Sequence, residues 1–261
     1  MSILKELSTR NFRHLTGTLE TGMVFVNEAD GSEFVWVPVT LLEADGLLNF
    51  SLSNQKLGIR NWHSQFQDLK SHSEAVPNHV VQSIANYGGF LVSRTPASEE
   101  DGRIVFKKGL MPLQACSYSF AYSQAEKYCT EMDHVESALM YGATYDSILK
   151  WIVQTGDKTL REVTADSCSW GNYGNSPNTP NKYMPTGSNE KWSACNIYDL
   201  AGNCWEWTQE EKLAQDKTLQ HVLRGGNHRV LGHYWTPADR YFSHFDYPLN
   251  LTSFRAILFL V

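Results

Sequence analysis

The sequence predicts an α+β domain, and three observations carry the prediction. Strand-like apolar runs mark both ends of the chain, two segments in the middle repeat at helical spacing, and long polar loops separate the later strands. Residues 22–38 read as a hairpin, with Met23-Val24-Phe25-Val26 and Phe34-Val35-Trp36-Val37 flanking Asp30-Gly31-Ser32. Residues 40–85 show no sustained period. Gly89-Phe90-Leu91-Val92-Ser93 reads as a strand, and Glu99 to Gly102 as a charged loop. One helix is expected over 120–132, where Phe120, Ala121, Ala125, Tyr128 and Cys129 share a face and Ser119 or Ser123 offers a cap. A second is expected over 143–155, with Ile148, Leu149, Ile152 and Val153 on one side and Gly156 as the stop. Residues 164–195 hold a polar loop of a length that is usually functional or pinned in a compact domain. Strand character returns at 203–208, where Trp205 and Trp207 share one face and Cys204 and Glu206 the other. His221 to Arg224 and Phe254 to Leu260 complete the set. The domain is expected over 22–261, with 1–21 as an N-terminal extension.

Composition excludes several function classes. The net charge is −6 and the longest basic cluster is the pair Lys107 and Lys108, which argues against a nucleic-acid platform. The longest apolar run, Ala256 to Val261, is far too short for a membrane span, so no membrane insertion is expected. Met1-Ser2-Ile3-Leu4-Lys5-Glu6-Leu7 contains no apolar h-region, and a secretory signal peptide is not expected. That favours a cytoplasmic or virion location, with the cell surface reached by another route. The 5 cysteines (Cys116, Cys129, Cys168, Cys195 and Cys204) show no Cys-x-x-Cys spacing and read as reduced, mostly buried thiols.

The run Asn196-Ile197-Tyr198-Asp199-Leu200-Ala201-Gly202-Asn203-Cys204-Trp205-Glu206-Trp207 resembles the signature of the formylglycine-generating-enzyme (sulfatase-modifying factor) family. Leu223-Arg224-Gly225-Gly226-Asn227 resembles that family's Arg-Gly-Gly-Ser turn, Ser253-Phe254-Arg255-Ala256 its closing Gly-Phe-Arg, and Phe34-Val35-Trp36-Val37-Pro38 its opening strand. The resemblance spans roughly residues 22–261 and implies a C-type-lectin fold, with two helices beside small mixed sheets and long loops on one face. Its enzymes oxidise a substrate cysteine with copper held by two cysteines after the Arg-Gly-Gly turn. Here no cysteine follows Cys204, and copper(I) needs soft thiolates, so no catalytic residue is assigned. Related iron-dependent sulfoxide synthases use histidines on added helices; His63, His72 and His79 lie in a poorly patterned stretch with Pro77 between the last two, and read as ordinary histidines. The resemblance also implies a structural Ca²⁺ held by the Asp199 side chain, the Gly202 and Cys204 carbonyls and the Glu206 carboxylate.

Residues 227–253 contain no Lys, Glu, Gln or Met, whereas residues 1–220 contain 44 of them, one in five. A solvated loop should be richer in Lys and Glu, not poorer. The variable proteins of diversity-generating retroelements, which share this fold, supply a cause that this chain resembles. Randomising the adenines of AAY codons yields NNY codons, which never encode Lys, Glu, Gln, Met or Trp. The stretch obeys that rule except at Trp235, which would then be a fixed residue. The implied variable, ligand-binding positions are His228, Arg229, Val230, Leu231, His233, Tyr234, Thr236, Asp239, Tyr241, Phe242, His244, Asp246, Tyr247 and Leu249. Gly232, Trp235, Pro237, Ala238, Arg240, Ser243 and Pro248 would hold the backbone. Such a mix of Tyr, His and Phe with few charges resembles a paratope, with Arg229, Tyr234, Tyr241 and Tyr247 as anchors.

The expected function is therefore non-enzymatic binding of a protein or surface receptor on a host or target cell, as a bacteriophage tail tip or a cell-surface adhesin. Two alternatives belong to other classes: a metal-dependent oxidoreductase with altered ligands, and a calcium-dependent sugar lectin. The lectin lacks its usual Glu-Pro-Asn or Gln-Pro-Asp tripeptide here.

Overall fold

Val24, Val35, Val92, Ile257 and Ala138 stand side by side in five successive strands, and their alignment explains the main sheet. The computed structural model describes residues 3–39, 72–73, 76–177, 179–214, 216–243 and 248–261. In chain order the first half contains helix α1 (Ile3–Ser8), strands β1 (Phe12–Thr16), β2 (Met23–Asn27), β3 (Glu33–Pro38) and β4 (His72–Ser73), helix α2 (Asn78–Tyr87) and strands β5 (Gly89–Ser93), β6 (Ser98–Glu100), β7 (Arg103–Val105) and β8 (Ala115–Cys116). Helix α3 (Tyr118–Lys127), strand β9 (Val135–Leu139) and helices α4 (Gly142–Thr155) and α5 (Leu160–Thr164) follow. The remainder is β10 (Ser193–Ala194), β11 (Ile197–Tyr198), β12 (Trp205–Leu213), β13 (Leu219–Arg224), β14 (Tyr241–Ser243), β15 (Leu249–Asn250), β16 (Thr252–Phe254) and β17 (Ala256–Leu260). This is the α+β order the sequence predicts.

The main sheet runs β1-β2-β3-β5-β17-β9, so the strand nearest the carboxyl end closes its middle. Both faces of its inner strands β2, β3, β5 and β17 are covered, which is why these read as near-continuous apolar runs, while the edge strand β1 is largely exposed. One face packs Val24, Val35, Val92 and Ile257 against Val80 and Ile84 of α2 and Tyr145, Ile148 and Ile152 of α4. The other packs Trp36, Leu91 and Leu258 against Ala121 and Ala125 of α3 and against Trp207 and Leu223 of the second sheet. That second sheet runs β14-β13-β12-β16, with β4 on β12. Trp205, Glu206 and Trp207 pair in parallel with Thr252, Ser253 and Phe254, which brings the signature strand beside the closing Phe-Arg strand.

The helix over 143–155 forms as expected, with Gly156 in the left-handed conformation at its end. Helix α3 starts earlier than expected, capped by Ser117, whose hydroxyl accepts from the Phe120 N–H. Two helices fall where the sequence showed no period: α2 after Pro77, and α5, which carries a Thr159/Glu162 capping box. The boundary at residue 22 needs correction. Leu7 and Phe12 are buried and β1 pairs with β2, so residues 3–21 belong to the domain rather than extending from it. His63 lies outside the described residues. Among the described residues, no helix is long and apolar enough to cross a membrane.

Candidate ligand-binding surface

The Arg-Gly-Gly turn and the segment after it leave β13 across the open end of the second sheet. Arg224, the last residue of β13, is fully buried, and Arg240, just before β14, is nearly so. Both arginines hold the same two carboxylates. Arg224 pairs with Asp146 of α4 at 2.7 Å and with Glu210 of β12 at 3.1 Å. Arg240 pairs with Asp146 at 2.5 Å and with Glu210 at 2.6 Å. Burial works against the Arg240 charge, but Asp146 and Glu210 outweigh it and hold its pKa above the ordinary arginine value. The Arg224 guanidinium also lies 4.4 Å from the Tyr145 ring centroid and donates to the Pro237 carbonyl. This ionic square closes residues 225–239 into a loop pinned at its neck.

The loop backbone is held from outside as well. Tyr173 donates its hydroxyl to the Gly225 carbonyl at 2.8 Å, and the Gly174 N–H donates to the Val230 carbonyl at 2.9 Å. Asn175 accepts from the Gly232 N–H at 3.0 Å, and the Gly232 carbonyl accepts from the Ser167 N–H at 3.0 Å. Gly226 has φ +76°, and a Cβ there would lie 2.7 Å from the Tyr173 ring and 2.8 Å from the Trp235 carbonyl, so no other residue fits. The polar loop over 164–195 thus has a use: its main chain and Asn175 splint the crossing loop. Most of the bonds that fix the loop involve main-chain atoms or side chains at Arg224, Asn227, Arg240, Tyr173 and Asn175. Of the exposed side chains, His233 joins them through its ring, whose Nδ1 lies 3.2 Å from Asn175 Nδ2.

The expected contact residues divide by burial. Arg229, Leu231, His233, Tyr234 and Tyr241 are exposed, and Val230, Phe242 and Leu249 are half-buried. His228, Thr236 and Asp239 are corrections: they face inward. Asp239 accepts from both the N–H and the hydroxyl of Thr236, at 2.7 and 2.9 Å, which shapes a buried turn. His228 packs near Tyr183, its N–H donates to the Asn203 carbonyl, and burial lowers its pKa. His244, Asp246 and Tyr247 lie outside the described residues. Of the expected backbone-holding residues, Gly232, Pro237, Ala238, Arg240 and Ser243 are buried, Trp235 is half-buried and Pro248 is exposed.

Beside the exposed residues opens a pocket of about 270 Å³. Trp205, Trp235 and Tyr241 form one wall, and Leu223, Val230 and Leu249 line the rest, with Asn250 and Thr252 as the polar members. The described lining residues carry no thiol, imidazole, carboxylate or amine. Sequence reading missed Leu223, Asn250 and Thr252 here, and placed Trp205 only as a strand residue. Burial pushes the Cys195 and Cys168 thiols up to about 11 and Cys129 to about 12, which disfavours their thiolates.

The calcium ligands implied by the resemblance do not fit an ion as they stand. Both Glu206 oxygens accept from the Arg255 Nε, at 2.9 and 2.8 Å, and Arg255 is itself fully buried. Arg255 also donates to the Ser93 carbonyl at 3.0 Å and to the Tyr198 carbonyl. The Gly202 carbonyl accepts from the Cys204 N–H. Asp199 Oδ2 accepts from the Gly187 N–H, which leaves only buried Oδ1 without a partner. Calcium takes about six to eight oxygens, and here a guanidinium already supplies the positive charge. Among the described residues, no group of three or more His, Cys, Asp or Glu could hold a metal ion.

An antiparallel sheet flanked by helices beside a smaller mixed one, with long loops crossing one end and buried arginines fixing them, defines a C-type-lectin-type domain. The family model of the sulfatase-modifying factor enzyme 1-like domain matches residues 97–257, and the chain belongs to that family. Among solved structures, CarF is similar over 97% of this chain and 97% of its own, at 14% identity and a TM-score of 0.45. PvdO from Pseudomonas aeruginosa is similar over 67% of this chain and 82% of its own, at 13% identity and a TM-score of 0.45. Treponema denticola variable protein 1 is similar over 65% of this chain and 84% of its own, at 14% identity and a TM-score of 0.43. No curated protein matches.

Proposed function

We propose that this chain is a non-enzymatic ligand-binding protein whose exposed residues between Arg224 and Phe254 form an exchangeable contact surface. One observation carries the reading. Arg229, Leu231, His233, Tyr234 and Tyr241 face solvent on a backbone that is fixed mainly by bonds from elsewhere. Side chains there change without changing the loop, which is what a diversified binding surface requires. The described lining of the pocket, largely aromatic and aliphatic, suits contact with a ligand. The aromatic and imidazole character of the exposed set suits a protein or cell-surface receptor, as on a phage tail or an adhesin. The missing Lys, Glu, Gln and Met over residues 227–253 supports diversification through NNY codons.

The neighbouring DNA tests the reading directly. We expect a near-copy of codons 224–255, differing at adenines, beside a reverse-transcriptase gene. Purine-ending codons at Arg229 and Leu231, the exposed positions here whose codons can end in a purine, with no such copy, would refute diversification. Stoichiometric copper or iron with turnover of cysteine peptides would refute the non-enzymatic reading.

A further inference from the structure

We propose that the pocket beside Tyr241 receives one aromatic side chain of a protein partner. The inference rests on the ligand-binding reading and assigns that surface its anchor. The walls are rigid before any ligand arrives. Trp205 and Tyr241 stack with centroids 5.3 Å apart, and Trp235 meets both edge-on at 5.5 and 5.4 Å. Rings that already brace one another lose little freedom on binding, which is the usual cost of an aromatic contact. Exposed ring faces and edges favour another ring, in offset or edge-to-face geometry.

Size selects the occupant. The pocket's 270 Å³ exceeds the roughly 150 Å³ of a cavity that holds benzene. It falls short of the 300–1,000 Å³ or so typical of drug-sized ligands. A phenyl or indole side chain fits between these limits. Charge selects it too. Among the described lining residues there is no carboxylate to serve an ammonium group as counter-ion. The Thr252 hydroxyl is already bonded to the Cys116 and Leu249 carbonyls, so it leaves no demand for a polar guest.

Depth divides the pocket into constant and exchangeable parts. Trp205, Leu223 and Thr252 are buried and belong to the frame strands, while Tyr241, Val230 and Leu249 are more exposed and belong to the expected variable set. A fixed apolar floor with replaceable walls keeps the anchor class constant while its shape preference changes.

The test uses the full chain and N-acetyl-tryptophanamide as probe, with N-acetyl-alaninamide and tetramethylammonium as comparison arms. Methyl and indole N–H resonances are followed during titration. We expect saturable shifts at Trp205, Trp235 and Leu249, with the alaninamide at least tenfold weaker. Leu249→Arg and Val230→Trp should each weaken the probe at least tenfold, with Leu213→Arg on the distant hairpin as a control that does not. Two variants guard against a folding failure in one, and the melting temperature of each is read alongside. Three results overturn the assignment: no saturable shift, equal shifts at all tryptophans, or tighter binding of tetramethylammonium, which would make the site a cation cage. A template copy in the DNA with no probe binding removes the pocket and leaves the binding surface. Probe binding without a template copy does the reverse for diversification.

Discussion

Arg224 and Arg229 lie in one short segment and do opposite things. The first is fully buried, bonded to Asp146 and Glu210 and stacked over Tyr145, so it fixes where the chain goes. The second faces solvent, and its structural contact is made by its backbone: its N–H donates to Asn227 Oδ1. The same division separates the whole neck, Arg224 and Arg240, from the crown, Arg229 to Tyr234. Neck side chains are engaged by other side chains, whereas the crown is held largely through main chain, with the His233 ring on Asn175 and the packing of Val230 added. Stability and recognition therefore draw on largely different atoms, and changes to one should be little felt in the other.

The largest effect that would break this contrast is expected at the neck. Arg240→Met leaves Asp146 and Glu210 with half their counter-charge in a dry interior, and should cost about 3–5 kcal/mol. Urea unfolding measures it, and a loss below 1 kcal/mol would show that the square is not structural. Next comes pH. Burial raises Asp199 to about 7, against an ordinary 3.8, so the folded chain binds this proton more tightly than the unfolded one. The stability from this group is complete below about pH 4 and is lost as pH rises towards 7. Asp199→Asn should remove that part of the decline, flattening the melting profile between pH 4 and 7 by on the order of a few degrees. A smaller loss, about 1 kcal/mol, is expected for Tyr173→Phe, which deletes the hydroxyl bond to Gly225. Crown substitutions come next: Arg229→Ala, His233→Ala and Tyr234→Ala should each stay within about 0.5 kcal/mol. A cost comparable to that at the neck would erase the contrast. Smallest of all, chelating calcium should leave the melting temperature unchanged, because Arg255 supplies the charge that Glu206 needs.

What sequence could show of this arrangement was local. The apolar runs at Met23–Asn27, Glu33–Pro38 and Gly89–Ser93 emerge as strands because both faces of the main sheet are buried. Gly156 marks a helix end because only glycine adopts its φ of 78° at no cost. Helix α2 was hidden because Pro77 reads as a breaker, although it sits at the N-cap, where its missing N–H does no harm. The Thr159/Glu162 box was legible and went unread. Of the neck, sequence marks Arg224 in the family turn and Arg240 as a backbone-holding residue, but not their shared carboxylates: Asp146 and Arg240 are far apart in sequence, and nothing local distinguishes a buried aspartate from a solvated one. For the same reason, the family resemblance implies that Asp199 and Glu206 share an ion, while long-range packing gives Glu206 to Arg255. Thr236 and Asp239 misled differently, since residues that shape turns and residues that contact ligands draw on the same polar types.

The ionic square at the neck has a consequence one level below the protein. Arginine is written either as CGN, whose one possible adenine falls in the synonymous third position of CGA, or as AGA and AGG, which begin with adenine. A copying process that overwrites adenines would spare Arg240 in the first spelling and scramble it in the second, taking two buried carboxylates' partner with it. We expect CGN at that position in this gene and in any sibling copies. The choice between synonymous triplets would then be set by a salt bridge.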